Sequence, residues 1–108
     1  MAVGAGQTVT MEGTVFDDIL YDVEADVLYM SVGPPRAGAD YDASIEGHGL
    51  RYDEGDKIVG LTIVGARWYL ERDGELVVTE TGYDGSVTRV SRIPRSELEP
   101  ALTAKKAA

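Results

Sequence analysis

The stretch Ile19–Val32, ILYDVEADVLYMSV, decides the fold. Two apolar, β-prone runs flank the acidic turn Asp22-Val23-Glu24-Ala25-Asp26. Val, Leu and Tyr fit a pleated, half-buried surface, and Asp caps turns by accepting hydrogen bonds from nearby backbone N–H groups. The stretch reads as a β-hairpin onto which the rest of the chain is built. In its second arm Leu28, Met30 and Val32 share one face, and Val27, Tyr29 and Ser31 share the other. Both faces are largely apolar, which predicts a central strand covered on both sides.

Upstream, Met1–Gln7 is small and Gly-rich and reads as a frayed end. Thr8–Met11 and Thr14–Phe16 form a short hairpin around Glu12-Gly13. Downstream, Gly33–Gly38 is a loop, because its two prolines cannot donate to a ladder. Ala39–Glu46 reads as an edge strand whose charges blunt edge-to-edge aggregation. Gly47-His48-Gly49 is a turn, Leu50-Arg51-Tyr52 a short strand, and Asp53-Glu54-Gly55-Asp56 a second acidic turn.

Lys57–Val64, KIVGLTIV, is the strongest strand, with Val59, Leu61 and Ile63 on one face and Ile58, Thr62 and Val64 opposite. Gly60 inside it marks a bulge or a close approach of backbone. The next segment has two readings. Asp73-Gly74 suits a type I′ hairpin turn, but Ala, Leu, Glu and Arg favour helix. With Gly65 as N-cap and Gly74 just past the end, a short helix over Ala66–Asp73 is expected.

Glu75–Glu80 and Val87–Arg92 read as two strands joined by the turn Thr81–Ser86. After Pro94, Ser96 and Glu99 have capping-box spacing, and Leu98, Ala101 and Leu102 form one apolar face of a C-terminal helix. Pro100 falls where its N–H would normally be bonded, so a start at Glu99-Pro100 is the alternative. Lys105-Lys106 suits the negative end of the helix dipole, and 104–108 is expected to be flexible.

A chain of 108 residues with 44% apolar content is one domain, 1–108, able to bury a core without staples. It has no cysteine, which excludes disulfides and thiolate metal sites. No apolar run reaches the roughly 18 residues of a membrane helix, and the first residues lack the pattern of a signal peptide. Together these absences lead us to expect a cytoplasmic protein. The net charge of −9 repels phosphate backbones and anionic membranes, so neither nucleic acid nor membrane is expected as a partner.

YDVEADVLYMSV, then an acidic segment, then GLRYDEGDKIVGLTIVGA resembles a bacterial family of unknown function catalogued as DUF 2283. The residues that carry the resemblance are Tyr21, Asp22, Glu24, Asp26, Leu28, Tyr29, Tyr52, Asp53, Glu54, Ile58, Val59, Gly60, Leu61 and Ile63. It runs from Ile19 to about Ala66 and implies a compact β-rich fold. It implies no activity and no catalytic residues.

The motifs that carry chemistry are few. Asp22-x-Glu24-x-Asp26 looks like the start of a calcium loop, but the EF-hand positions for Gly and Glu hold Val27 and Gly33. A turn capped by its own carboxylates is the better reading there and at Asp53–Asp56. His48 is the only histidine and reads as an exposed turn residue, too isolated for catalysis. No nucleophile elbow, nucleotide-binding glycine motif or zinc ligand set occurs, so no catalytic, cofactor-binding or metal residues are assigned.

Tyr29 and Arg67-Trp68-Tyr69 are the candidate interaction surface, since Trp, Tyr and Arg are enriched at hot spots. The competing reading puts Trp68 and Leu70 in the core with Arg67 solvated, and it is the favoured one for Trp68.

The fold expected is mainly β: an antiparallel sheet or partly open barrel built from hairpins, with one or two short helices. The function expected is a non-enzymatic protein-interaction or self-associating module, most simply a homodimer. The alternatives are an enzyme using carboxylates such as Asp22, Asp26 and Asp53, or an acidic inhibitor that mimics nucleic acid.

Overall fold

The computed structural model describes residues 7–34 and 40–103. The expectations for 1–6, for 35–39 and for 104–108, including Lys105-Lys106, lie outside the described residues.

Among the described residues nine strands and two helices follow one another in the order β1 (Val9–Met11), β2 (Thr14–Phe16), β3 (Asp18–Asp22), β4 (Val27–Ser31), β5 (Asp40–Ala43), β6 (Gly49–Tyr52), β7 (Ile58–Val64), α1 (Ala66–Asp73), β8 (Glu75–Thr81), β9 (Val87–Pro94) and α2 (Arg95–Thr103). β3 to β7 make a five-stranded sheet in the order β3-β4-β7-β6-β5, while β1-β2 and β8-β9 are separate hairpins. All pairings are antiparallel, and no sheet closes into a barrel. Of the two arrangements the sequence allows, the open sheet is the one formed, with β3 and β5 as its edges.

The quoted hairpin is there, with Tyr21 opposite Leu28 and Ile19 opposite Met30. β7 continues the same row through the partners Leu28↔Ile63 and Met30↔Leu61, and β6 extends it through Leu50↔Leu61. All of these residues are buried. The two hairpins and both helices cover this face, and one core joins Phe16, Leu76, Val78, Ile93, Leu98 and Leu102 to it. The structure corrects the expectation that β4 is covered on both sides. Leu28 and Met30 are buried, but Tyr29 is 44% exposed and Val27 only half-buried. Among the described residues one layer covers the sheet, and it lies on one face.

The alternation predicted along β7 also fails at one point. Gly60 pairs with Arg51, but Tyr52 pairs with Ile58, so Val59 is an extra residue opposite the Arg51–Tyr52 step. Such a bulge reverses the alternation. Ile58 therefore joins Leu61 and Ile63 inside, and Val59, expected with them, is only half-buried.

α1 spans the residues predicted, with Gly65 at φ 82° before it and Gly74 at φ 75° after it. The left-handed backbone at both ends explains why glycine bounds the helix on each side. Its N-terminal donors are satisfied from far away in the chain. Asp26, itself at φ 55°, accepts Gly65 N (2.7 Å) and Ala66 N (3.3 Å) on its carbonyl. Its carboxylate accepts Arg67 N (2.8 Å) and Trp68 N (3.2 Å). The same carboxylate takes the hydroxyl of Tyr21 at 2.7 Å. The hairpin turn is thus also the cap of α1, placing a negative charge where the helix dipole favours one.

α2 starts at Arg95, directly after β9, and carries Pro100 inside it. This corrects both sequence readings of its start. Ser96 lies in the first turn instead of capping it, and Glu99 pairs with Arg95 at 3.3 Å. Proline at this position removes one helical hydrogen bond. Burial of Leu98, Ala101 and Leu102, the face expected, offsets that loss.

Candidate functional site

The carboxylates that the sequence groups together are separated by the sheet. β4 and β7 run antiparallel with Val27 opposite Val64 and Ser31 opposite Gly60. The turn 22–26 therefore lies at one end of the strands and the turn 53–57 at the other. Each acidic turn binds backbone. Asp22 accepts Ala25 N at 3.2 Å, and Asp53 accepts Gly55 N at 2.8 Å and Lys57 N at 3.0 Å. Asp22, Asp26 and Asp53 do not converge. Among the described residues no group of three or more His, Asp or Glu side chains is placed to hold a metal ion.

His48 is not exposed, contrary to expectation; it is 1% accessible. Its turn is pinned to β8. Ile45 N donates to the carbonyl of Thr79 at 3.1 Å. The Glu46 carboxylate accepts both Thr79 N (2.9 Å) and Thr79 Oγ1 (2.5 Å). Burial disfavours ionised Glu46, but the Thr79 bonds outweigh it and hold the carboxyl below its ordinary range. The His48 ring meets the edge of Tyr69 at 5.4 Å, and neither ring nitrogen makes a hydrogen bond among the described residues. Burial pushes its pKa down, against the opposing charge of Glu46 and the carbonyl of Val77.

This placement gives a pH prediction. The unfolded chain takes a proton on His48 at about pH 6.5, and the folded chain resists it. The unfolded state then binds more protons, so stability should fall as pH drops from about 6.5 to about 5. No second histidine contributes in that window. Urea denaturation across it should show the decline in the wild type and a nearly flat profile in His48→Phe. A flat wild-type profile would contradict the burial.

Of the candidate surface, Arg67, Trp68 and Tyr69 lie together on α1. Trp68 is 54% exposed, which overturns its favoured assignment to the core. Its helix packs on β8 and α2 through Ala66 and Leu70 instead. Arg72 lies 4.5 Å over the Trp68 ring and 5.3 Å from that of Tyr69. Tyr29 stands elsewhere, on the open face of the five-stranded sheet.

That face carries a groove of about 320 Å³, the feature the sequence reading missed. Cross-strand partners share a face, so its floor is read from the register. One row is Leu20, Tyr29, Thr62 and Gly49; the next is Asp18, Ser31, Gly60, Arg51 and Tyr41. Two glycines in neighbouring inner strands leave the hollow. Into it lies the Arg51 side chain: a Cβ on Gly60 would sit 2.8 Å from the guanidinium. The close approach at Gly60 is therefore made by a side chain and not by backbone. Arg51 forms no ion pair or side-chain hydrogen bond among the described residues, and its Nε is buried without a partner. Tyr41 is 71% exposed at the β5 edge of the groove. Beyond its other end Val27 stands beside Val64, which is 57% exposed.

No family model, curated protein or solved structure matches this chain. Among the described residues no helix is long and apolar enough to cross a membrane.

Proposed function

We propose that the chain is a non-enzymatic, self-associating interaction module that docks through the open face of its five-stranded sheet. One observation carries this reading: among the described residues the sheet is covered on a single face, and the other face keeps Leu20, Val27, Tyr29 and Val64 in and beside the groove. Apolar surface of this kind usually marks an interaction site, and a two-fold dimer is the commonest way to bury it. Kinship with the DUF 2283 family belongs to the same proposal and brings no activity with it. The net charge of −9 supports a partner that is protein and not nucleic acid.

Static light scattering over a concentration series tests this, run at physiological ionic strength or above to screen the repulsion between acidic copies. The mass should rise from 11.6 kDa towards twice that value. A mass that stays at 11.6 kDa throughout would refute self-association.

A further inference from the structure

We infer that the occupant of the open face is the same face of a second copy, turned about a two-fold axis that runs along the strands between β4 and β7, so that Asp18 of each copy meets Arg51 of the other. This rests on the self-association proposed above and adds its geometry.

The register supplies the argument. Asp18, Ser31, Gly60 and Arg51 form one row across β3, β4, β7 and β6. Arg51 is a cation without an ionic partner in a groove, and Asp18, exposed on the edge strand, makes no ion pair or side-chain hydrogen bond among the described residues. They stand three strands apart, about 14 Å at roughly 4.8 Å per strand, too far to meet within one chain. Rotation about an axis midway between β4 and β7 exchanges β3 with β6 and β4 with β7, and keeps every row at its own height. Asp18 then falls on Arg51 twice.

The neighbouring rows agree in size. Leu20 falls on Gly49 and Tyr29 on Thr62, large on small, and Val27 falls on Val64. Two sheets stacked this way keep their strands nearly aligned, as packed sheets do. The other simple axis, across the strands through Tyr29, lays Asp18 on Asp22 in both copies. That sets carboxylate against carboxylate and is disfavoured. A chain carrying −9 needs its few cations used in this way if two copies are to touch.

Charge reversal tests the pairing, with the dissociation constant read by sedimentation and the fold checked by circular dichroism. Asp18→Arg and Arg51→Asp should each weaken the dimer by at least about tenfold, since two symmetric pairs are lost. The double variant D18R/R51D should recover to within about threefold of the wild type. Asp18 is exposed, so Asp18→Arg remains informative even if Arg51→Asp fails to fold. Single reversals without effect, or a double variant no better than the singles, would overturn the pairing while leaving self-association standing. A wild type that is monomeric at all concentrations would overturn both.

Discussion

Asp26→Ala should lower the free energy of unfolding by about 3 kcal/mol, far more than its partly exposed position in a hairpin turn suggests. The substitution removes the carboxylate that accepts Arg67 N and Trp68 N, the cap of α1. A lost cap costs roughly 1 kcal/mol. It also takes from the hydroxyl of Tyr21, a residue 2% exposed, its bond to a carboxylate and leaves it beside Arg67, and a lost hydrogen bond to a charged group costs about 1.5–3 kcal/mol. Alanine at φ 55° adds strain. Asp22→Ala, which gives up one exposed bond to Ala25 N, should cost under about 1 kcal/mol. Urea denaturation of both variants, with unchanged slope, makes the comparison. Equal losses would mean that the long-range cap does not hold α1.

The second large effect is expected at the inner face of the sheet. Leu61→Ala should cost about 2–5 kcal/mol, because Leu61 is 2% exposed between Met30 and Leu50 and the cavity cannot close without moving three strands. Leu28→Glu should leave the chain unfolded, since it buries an unpaired carboxylate at a position with no accessible surface. Tyr29→Glu, one residue along and on the opposite face, should leave the thermal midpoint within a few degrees of the wild type when both are melted at a concentration low enough to be monomeric. A loss below about 1 kcal/mol for Leu61→Ala, or a folded Leu28→Glu, would show that the register assigned to β4 and β7 is wrong.

These effects divide along the line between what a local pattern shows and what it hides. The hairpin around 22–26 was legible because apolar alternation and a turn of acidic residues agree on one answer. α1 was legible because Gly65 and Gly74 both require left-handed backbone, which sets its two ends. The partner that caps it was not. Asp26 precedes Trp68 by 42 residues, and no local pattern links a turn carboxylate to a helix that distant.

His48 was misplaced for a related reason. Flanking glycines describe an exposed turn, but Glu46 and Thr79 clamp that turn onto β8 and bury the ring. The bulge at Val59 was signalled by Gly60, yet the side chains it redirects were not, because the alternation rule assumes no extra residue. The size of Trp68 points to the core, but α1 packs through Ala66, Leu70 and the half-buried Tyr69 and leaves Trp68 exposed.

The groove itself could be found only once the strand order was known. Gly49, Gly60 and Arg51 are scattered over two strands, and it is the pairing of β6 with β7 that brings them together. Tyr29 stands out in the sequence by its residue type and its alternation with Leu28. Val27, Ile58 and Val64 are marked beside it as apolar residues on outward faces; Val27 and Val64 do lie on the open face, but the bulge at Val59 turns Ile58 inside.

Tyr29 on the sheet and Trp68 on α1 compete as the docking site, and one measurement separates them. Sedimentation velocity of the wild type, Tyr29→Glu and Trp68→Glu at one common concentration should give a dimer, a monomer of 11.6 kDa and a dimer, respectively. A wild type of 11.6 kDa, or a dimer that survives Tyr29→Glu and dissociates on Trp68→Glu, would contradict docking through the open sheet.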